Sequence, residues 1–170
     1  MDFELTDEQQ LIRDAVREFA EAEVVPVAAE IDRDHRFPAE LLPKLAEMNL
    51  MGMTFPEKEG GAGADYVSYV IAVEEISRAC ASTGIIMSSH NSLATWPIYT
   101  FGTRAQKDQY MHDMTSGRRL GAFALTEPAA GTDAAAGTCT ATRDGDEYVL
   151  NGSKMFISNA PHAEIYIVFA

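Results

Sequence analysis

Up to about residue 117 the apolar positions recur at helical spacing; beyond it they alternate in short runs. Leu11, Ile12, Ala15, Val16, Phe19 and Ala20 form one stripe, with Arg13, Asp14, Arg17 and Glu21 opposite. Thr6 followed by Asp7, Glu8 and Gln9 reads as a capping box, so a helix is expected to start there and run until Pro26 removes a backbone donor. A second helix has Pro38 in its first turn and buries Leu41, Leu42, Leu45 and Ala46. The segment FPEKEGGAGAD, 55–65, carries too many glycines for a helix and reads as a loop. A third helix follows from Asp65, with Val67, Val70, Ile71 and Ile76 as its buried positions. The sparsely charged stretch TGIIMSSHNSLATWPIYTFG then reads as a core helix or the wall of an apolar cavity. Thr103 and Gln106 form another capping box, opening a helix that Gly117 stops.

After Leu120 the period changes from 3.6 to 2. GAFALT, TCTAT, EYVLNGSKMFIS and EIYIVFA read as strands, and Asp144-Gly145 and Asn151-Gly152 are dipeptides suited to two-residue hairpins. The pattern is α+β: an all-helical domain over residues 1–118, then the beginning of an antiparallel β domain over 119–170. About 50 residues are thin for an independent sheet core, so the chain reads as the N-terminal part of something longer, with an open sheet edge and an unpaired apolar strand at IYIVFA.

Charge narrows the partners. Thirteen Lys and Arg against 26 Asp and Glu give a formal net charge of −13, which disfavours nucleic acid and anionic membrane surfaces. Neither a membrane-spanning run nor a signal segment is evident after Met1. Cys80 and Cys139 form no CxxC and suit a reducing compartment, so the expected location is cytoplasmic.

FALTEPAAGTD, 123–133, is the most unusual stretch. A strand, two hydroxyls, a proline-fixed turn and Gly131 beside Thr132 could expose successive amides and a hydroxyl to a pyrophosphate, or could form a plain structural corner. Gly60, Gly61 and Gly63 do not make a phosphate-binding GxGxxG. His35, His90, His112 and His162 lack metal-ligand spacing, and no metal site is expected. Trp96 reads as core. Glu74 and Glu75 diverge on a helix, so they cannot share a substrate proton, and a solvated face or helix-end pairing is expected.

Ala124-Leu125-Thr126-Glu127-Pro128-Ala129-Ala130-Gly131-Thr132-Asp133 resembles the first signature of the acyl-CoA dehydrogenase family. LTDEQQLIRDAVREFAEAEVVPVAAEID resembles the family's opening helix, FPEKEGGAGAD its loop after the second helix, and FGTRAQKDQYMHDMTSG its helix before the β domain. NGSKMFISNA resembles its second flavin-contacting strand. The likeness covers essentially the whole chain and is greatest to short-chain, butyryl-CoA-type members. It implies FAD as cofactor, an acyl-CoA substrate dehydrogenated to the trans-2-enoyl-CoA, electron-transferring flavoprotein as acceptor, and a homotetramer. By this resemblance Phe123, Leu125 and Thr126 border the isoalloxazine, Gly131 allows close approach, and Thr132 serves the pyrophosphate and the substrate. Phe156 packs on the flavin ring, and Ser158 serves its N5 and O4 edge. Ser88, Ser89, His90, Asn91, Ser92 and Leu93 either line the acyl pocket, where the family places this helix, or form a plain polar helix face. Glu127 matches a structural glutamate of the motif. The base glutamate, the adenine-binding residues and a C-terminal helical bundle are expected beyond residue 170. Two departures stand out: Ser158 replaces the usual Thr, and Asn159-Ala160-Pro161-His162 replaces Asn-Gly-Gly. The competing readings are a non-catalytic helical assembly piece, and an acyl-CoA oxidase or flavin monooxygenase of the same fold.

Overall fold

The computed structural model describes residues 4–170. Helix α1 (Asp7–Phe19) starts at the Thr6 capping box, with Gln9 N–H donating to Thr6 Oγ1 and Thr6 N–H to Gln9 Oε1. Pro26 does not end it. A π-helical turn at Ala20–Val24 carries the chain into α2 (Val25–Arg33), where Pro26 falls in the first turn and its missing N–H costs little. Helix α3 spans Leu41–Glu47, and 55–65 is a loop holding one 3₁₀ turn at Glu57–Glu59.

Helix α4 (Tyr66–Ala79) starts at Asp65, whose carboxylate accepts from the Val67 and Ser68 amides. Its buried face is Ser68, Ile71, Ala72, Glu75 and Ile76, whereas Val67 and Val70 of the expected stripe are exposed. Three more helices follow: α5 (Ala81–Ser88), α6 (Trp96–Phe101) and α7 (Arg104–Thr115), with a second π-helical turn at Ser89–Thr95 joining α5 to α6. The core gathers Val16, Ala20, Val24, Leu41, Leu45, Leu50, Met51, Ile76 and Met87. Leu11 and Trp96, expected inside, are exposed or half-exposed.

Helices α1 and α4 are also tied by charge. Arg17 grips the buried Glu75 carboxylate at 2.6 and 3.0 Å, and Arg78 adds a contact at 3.2 Å. Glu75 is thus an ion-paired structural acid, and its neighbour Glu74 points to solvent.

The last helix ends at Thr115, and β1 begins at Gly121. Strands β2 (Thr140–Asp144) and β3 (Glu147–Asn151) form the expected antiparallel hairpin, with Gly145 and Asp146 at its tip. Strand β4 (Ile165–Val168) pairs in parallel with β1 (Gly121–Ala124), from Gly121 opposite Ile165 to Ala124 opposite Val168. This departs from the antiparallel expectation in a simple way: the whole hairpin lies between β1 and β4, and that length of chain permits the crossover a parallel pair requires. The IYIVFA segment is therefore paired along one edge and not free, with Phe169 N–H continuing to the Ala124 carbonyl at 3.1 Å. MFIS, expected as the end of a strand, is irregular, and Asn151-Gly152 makes no hairpin.

Candidate functional site

Beyond β1 the chain runs through Leu125, Thr126 and Glu127, and the segment 154–158 lies beside it. Met155 N–H donates to the Thr126 carbonyl at 3.0 Å, and Lys154 Nζ donates to the Leu125 carbonyl at 3.0 Å. These bonds bring Phe123, Leu125 and Thr126 together with Phe156, Ile157 and Ser158. Ser89 and Leu93, four residues apart on the π-helical turn, complete the walls of a cavity of about 230 Å³.

Phe156 is 85% exposed and sits at φ +58°, in the left-handed region that costs a residue with a Cβ. A large aromatic ring held in water by a strained backbone offers a flat apolar face to something else. Thr126 and Ser158 place hydroxyls on the same walls. The donor set, one aromatic face with aliphatic flanks and two hydroxyls, fits a planar heteroaromatic ring with polar edges, such as a flavin.

Glu127 holds the motif in shape. It is buried, and its carboxylate accepts from Lys154 Nζ at 2.8 Å, from the Thr138 and Cys139 amides at 2.6 and 2.9 Å, and from Thr138 Oγ1 at 2.9 Å. The Lys154 ammonium, then the two amides, lower its pKa to about 2. A carboxylate so fully engaged is no proton acceptor.

Five of the seven residues singled out from the motifs therefore share one cavity: Phe123, Leu125, Thr126, Phe156 and Ser158. Gly131 and Thr132 stand apart on the exposed turn after Glu127, and a Cβ on Gly131 would meet no atom within 4 Å. Of residues 88–93, only Ser89 and Leu93 reach the cavity. His90 and Asn91 turn into the core, and Ser92 lies on a different depression beside Tyr69 and Trp96. Ile157, and the clamping role of Lys154, carried no signal in the sequence, because both depend on which segments are brought side by side. A larger open groove of about 600 Å³ runs between α6, α7 and β4, but none of those seven residues lines it. Among the described residues no cluster of His, Cys, Asp and Glu could hold a metal ion, and no helix is long and apolar enough to cross a membrane.

A helical domain leads into a strand-and-turn segment with an aromatic and hydroxyl cavity whose lining fits a planar cofactor. Residues 6–118 match the acyl-CoA dehydrogenase N-terminal domain, and residues 122–170 match the acyl-CoA dehydrogenase middle domain. The chain belongs to the acyl-CoA dehydrogenase family. It is 50% identical over 170 residues to the short-chain specific acyl-CoA dehydrogenase of Clostridium acetobutylicum, covering 100% of this chain and 45% of that one. Three solved structures superpose closely. A chain in the structure of the electron transferring flavoprotein of Acidaminococcus fermentans is 48% identical with a TM-score of 0.96, over 100% of this chain and 45% of that one. Butyryl-CoA dehydrogenase of Megasphaera elsdenii is 44% identical with a TM-score of 0.94, over 100% and 45%. An acyl-CoA dehydrogenase of Bacillus anthracis complexed with FAD is 34% identical with a TM-score of 0.92, over 98% and 29%. The chain thus spans less than half the length of these relatives.

Proposed function

We propose that these 170 residues are the N-terminal part of an FAD-dependent dehydrogenase of short-chain acyl-CoA thioesters, which passes its electrons to an electron-transferring flavoprotein. The observation that carries the reading is the cavity in which Phe123, Leu125, Thr126, Phe156 and Ser158 meet. Bound FAD supplies the hydride acceptor. The chain's own residues orient it: the Phe156 face packs on the ring, Leu125 and Phe123 flank it, and the Thr126 and Ser158 hydroxyls serve its polar edge. Gly131 and Thr132, on the exposed turn, offer amides and a hydroxyl to the pyrophosphate, with Thr132 also serving the substrate. Ser89 and Leu93 border the acyl chain.

Removing the weakly acidic α-proton of a thioester needs a positioned carboxylate, and no acidic side chain lines the cavity. The base is assigned to the part of the protein that follows residue 170, together with the adenine-binding residues and the contacts of a homotetramer. Two separate free thiols, Cys80 and Cys139, accord with a cytoplasmic location.

The test is butyryl-CoA-dependent reduction of a redox dye, and of electron-transferring flavoprotein, by the whole protein containing this chain and by the 170-residue segment with added FAD. Turnover is expected in the first and not in the second. Turnover by the segment alone overturns the placement of the base, and absence of both flavin absorbance and turnover in the whole protein overturns the function.

A further inference from the structure

Both backbone groups of Gly121, the first residue of β1, are held by side chains from distant parts of the chain. Its N–H donates to His90 Nδ1 at 3.0 Å, and its carbonyl accepts from Asn159 Nδ2 at 3.1 Å. An amide N–H can only donate, so Nδ1 is unprotonated and the ring proton resides on Nε2, which donates to the Met114 carbonyl at 2.9 Å. Asn159 Nδ2 also reaches the Ile86 carbonyl at 3.3 Å. His90 and Asn159 are both buried, so neither bond competes with bulk water.

Each of these three residues adjoins one wall of the cavity. His90 lies between Ser89 and Leu93 on the π-helical turn. Gly121 opens β1, which carries Phe123 and leads into Leu125 and Thr126. Asn159 follows Ser158 and turns the chain at φ +69°, in the left-handed region that Asn tolerates better than most residues. The walls come from segments that are remote in sequence, yet they are bonded to one another at a single glycine. The approach there is close: a Cβ on Gly121 would lie 2.4 Å from Ala94 Cβ and 2.7 Å from Met114 Cε.

We propose that His90 and Asn159 are positioning residues for this cavity, setting its three walls relative to one another by holding the two backbone groups of Gly121. The inference rests on the flavin reading only for what occupies the cavity; the placement of the walls is independent of it. The acceptor that matters is Nδ1, and this separates positioning from simple filling of the core. Asn at position 90 presents Oδ1 near the place of Nδ1 and keeps the Gly121 bond. Gln presents its amide near the place of Nε2, keeps the Met114 bond, and leaves the Gly121 N–H without an acceptor.

The experiment compares His90→Asn, His90→Gln and Asn159→Gly in the whole protein. It reads amide hydrogen exchange over 121–126 and 156–159, and titrates FAD by its visible absorbance and fluorescence quenching. In His90→Gln, which loses the bond to the Gly121 N–H, and in Asn159→Gly, which loses those to the Gly121 and Ile86 carbonyls, exchange over 121–126 should quicken by about tenfold or more and FAD affinity should fall by about tenfold or more. His90→Asn should restore both to near the wild-type values. Asn159→Gly keeps the backbone conformation accessible, so it decides the matter if His90→Gln fails to fold. Unchanged exchange over 121–126 in Asn159→Gly, or equal impairment of His90→Asn and His90→Gln, overturns the proposal. If exchange changes as expected while FAD binds neither wild type nor variant, the flavin reading fails and the positioning role stands.

Discussion

Lys154 Nζ lies 2.8 Å from Glu127 Oε1, and this pair fastens the turn after β1 to the segment that carries Phe156. Lys154 is almost buried and spends a second proton on the Leu125 carbonyl, so the pair fixes backbone as well as charge. Glu127 therefore belongs to the scaffold of the motif and not to its chemistry.

That assignment has an acid signature. The Glu127 pKa is lowered from 4.5 to about 2, so the unfolded chain binds the proton more readily than the folded one. The stabilisation is present above about pH 4.5 and is lost as the pH falls toward 2. Glu127→Gln should flatten the dependence of Tm on pH across that window and lower Tm at neutral pH. A variant that retains the wild-type slope there removes Glu127 from the scaffold.

His90 acts in a higher window. Burial lowers its pKa from 6.5 to about 4, against the Met114 and Met51 carbonyls, which favour the cation. The folded pKa lies below the unfolded one, so stability is full above about pH 6.5 and declines as the pH falls through 4. The full loss is about 3 kcal/mol, taking about 1.4 kcal/mol per pKa unit. Urea unfolding of wild type and His90→Asn between pH 7 and pH 4 should show this slope in the first only.

The two candidate flavin contacts separate by chemistry. Thr132→Val removes the hydroxyl proposed to serve the pyrophosphate and should weaken FAD by about 1–3 kcal/mol. Phe156→Ala should also loosen the flavin by removing ring packing, and because the Phe156 side chain is so exposed it should leave Tm without ligand nearly unchanged. Fluorescence titration gives the affinities and calorimetry the stability. Unchanged FAD affinity in either variant removes that residue from the site.

Gly121→Ala tests the close approach of β1 to the π-helical turn. The added methyl would sit 2.4 Å from Ala94 Cβ, and neither backbone can yield without moving β1 or the turn. A destabilisation of about 1–3 kcal/mol is expected from overpacking, visible as a lower midpoint in denaturant unfolding. An unaltered midpoint would show that the contact is slack.

The sequence alone determined what depends on neighbours along the chain. Both capping boxes, at Thr6 and Thr103, form as their residues dictate, because a cap needs only a hydroxyl and an amide three residues apart. The change of period after Leu120 announced the move from helices to strands, and motif resemblance supplied the family. Tertiary structure decided the rest. Pro26 failed to end the first helix because a π-helical turn placed it at the start of a new one, and period 3.6 carries no mark of that turn. The same reading put Val67 and Val70 inside because periodicity gives spacing and not which neighbours exist to cover a face. Strand direction between β1 and β4 was invisible, since alternation of side chains is the same in either sense. The meeting of Phe123 with Phe156, and of Gly121 with His90 and Asn159, joins segments that no local pattern relates. Long-range hydrogen bonds and packing choose those partners only once the chain has folded.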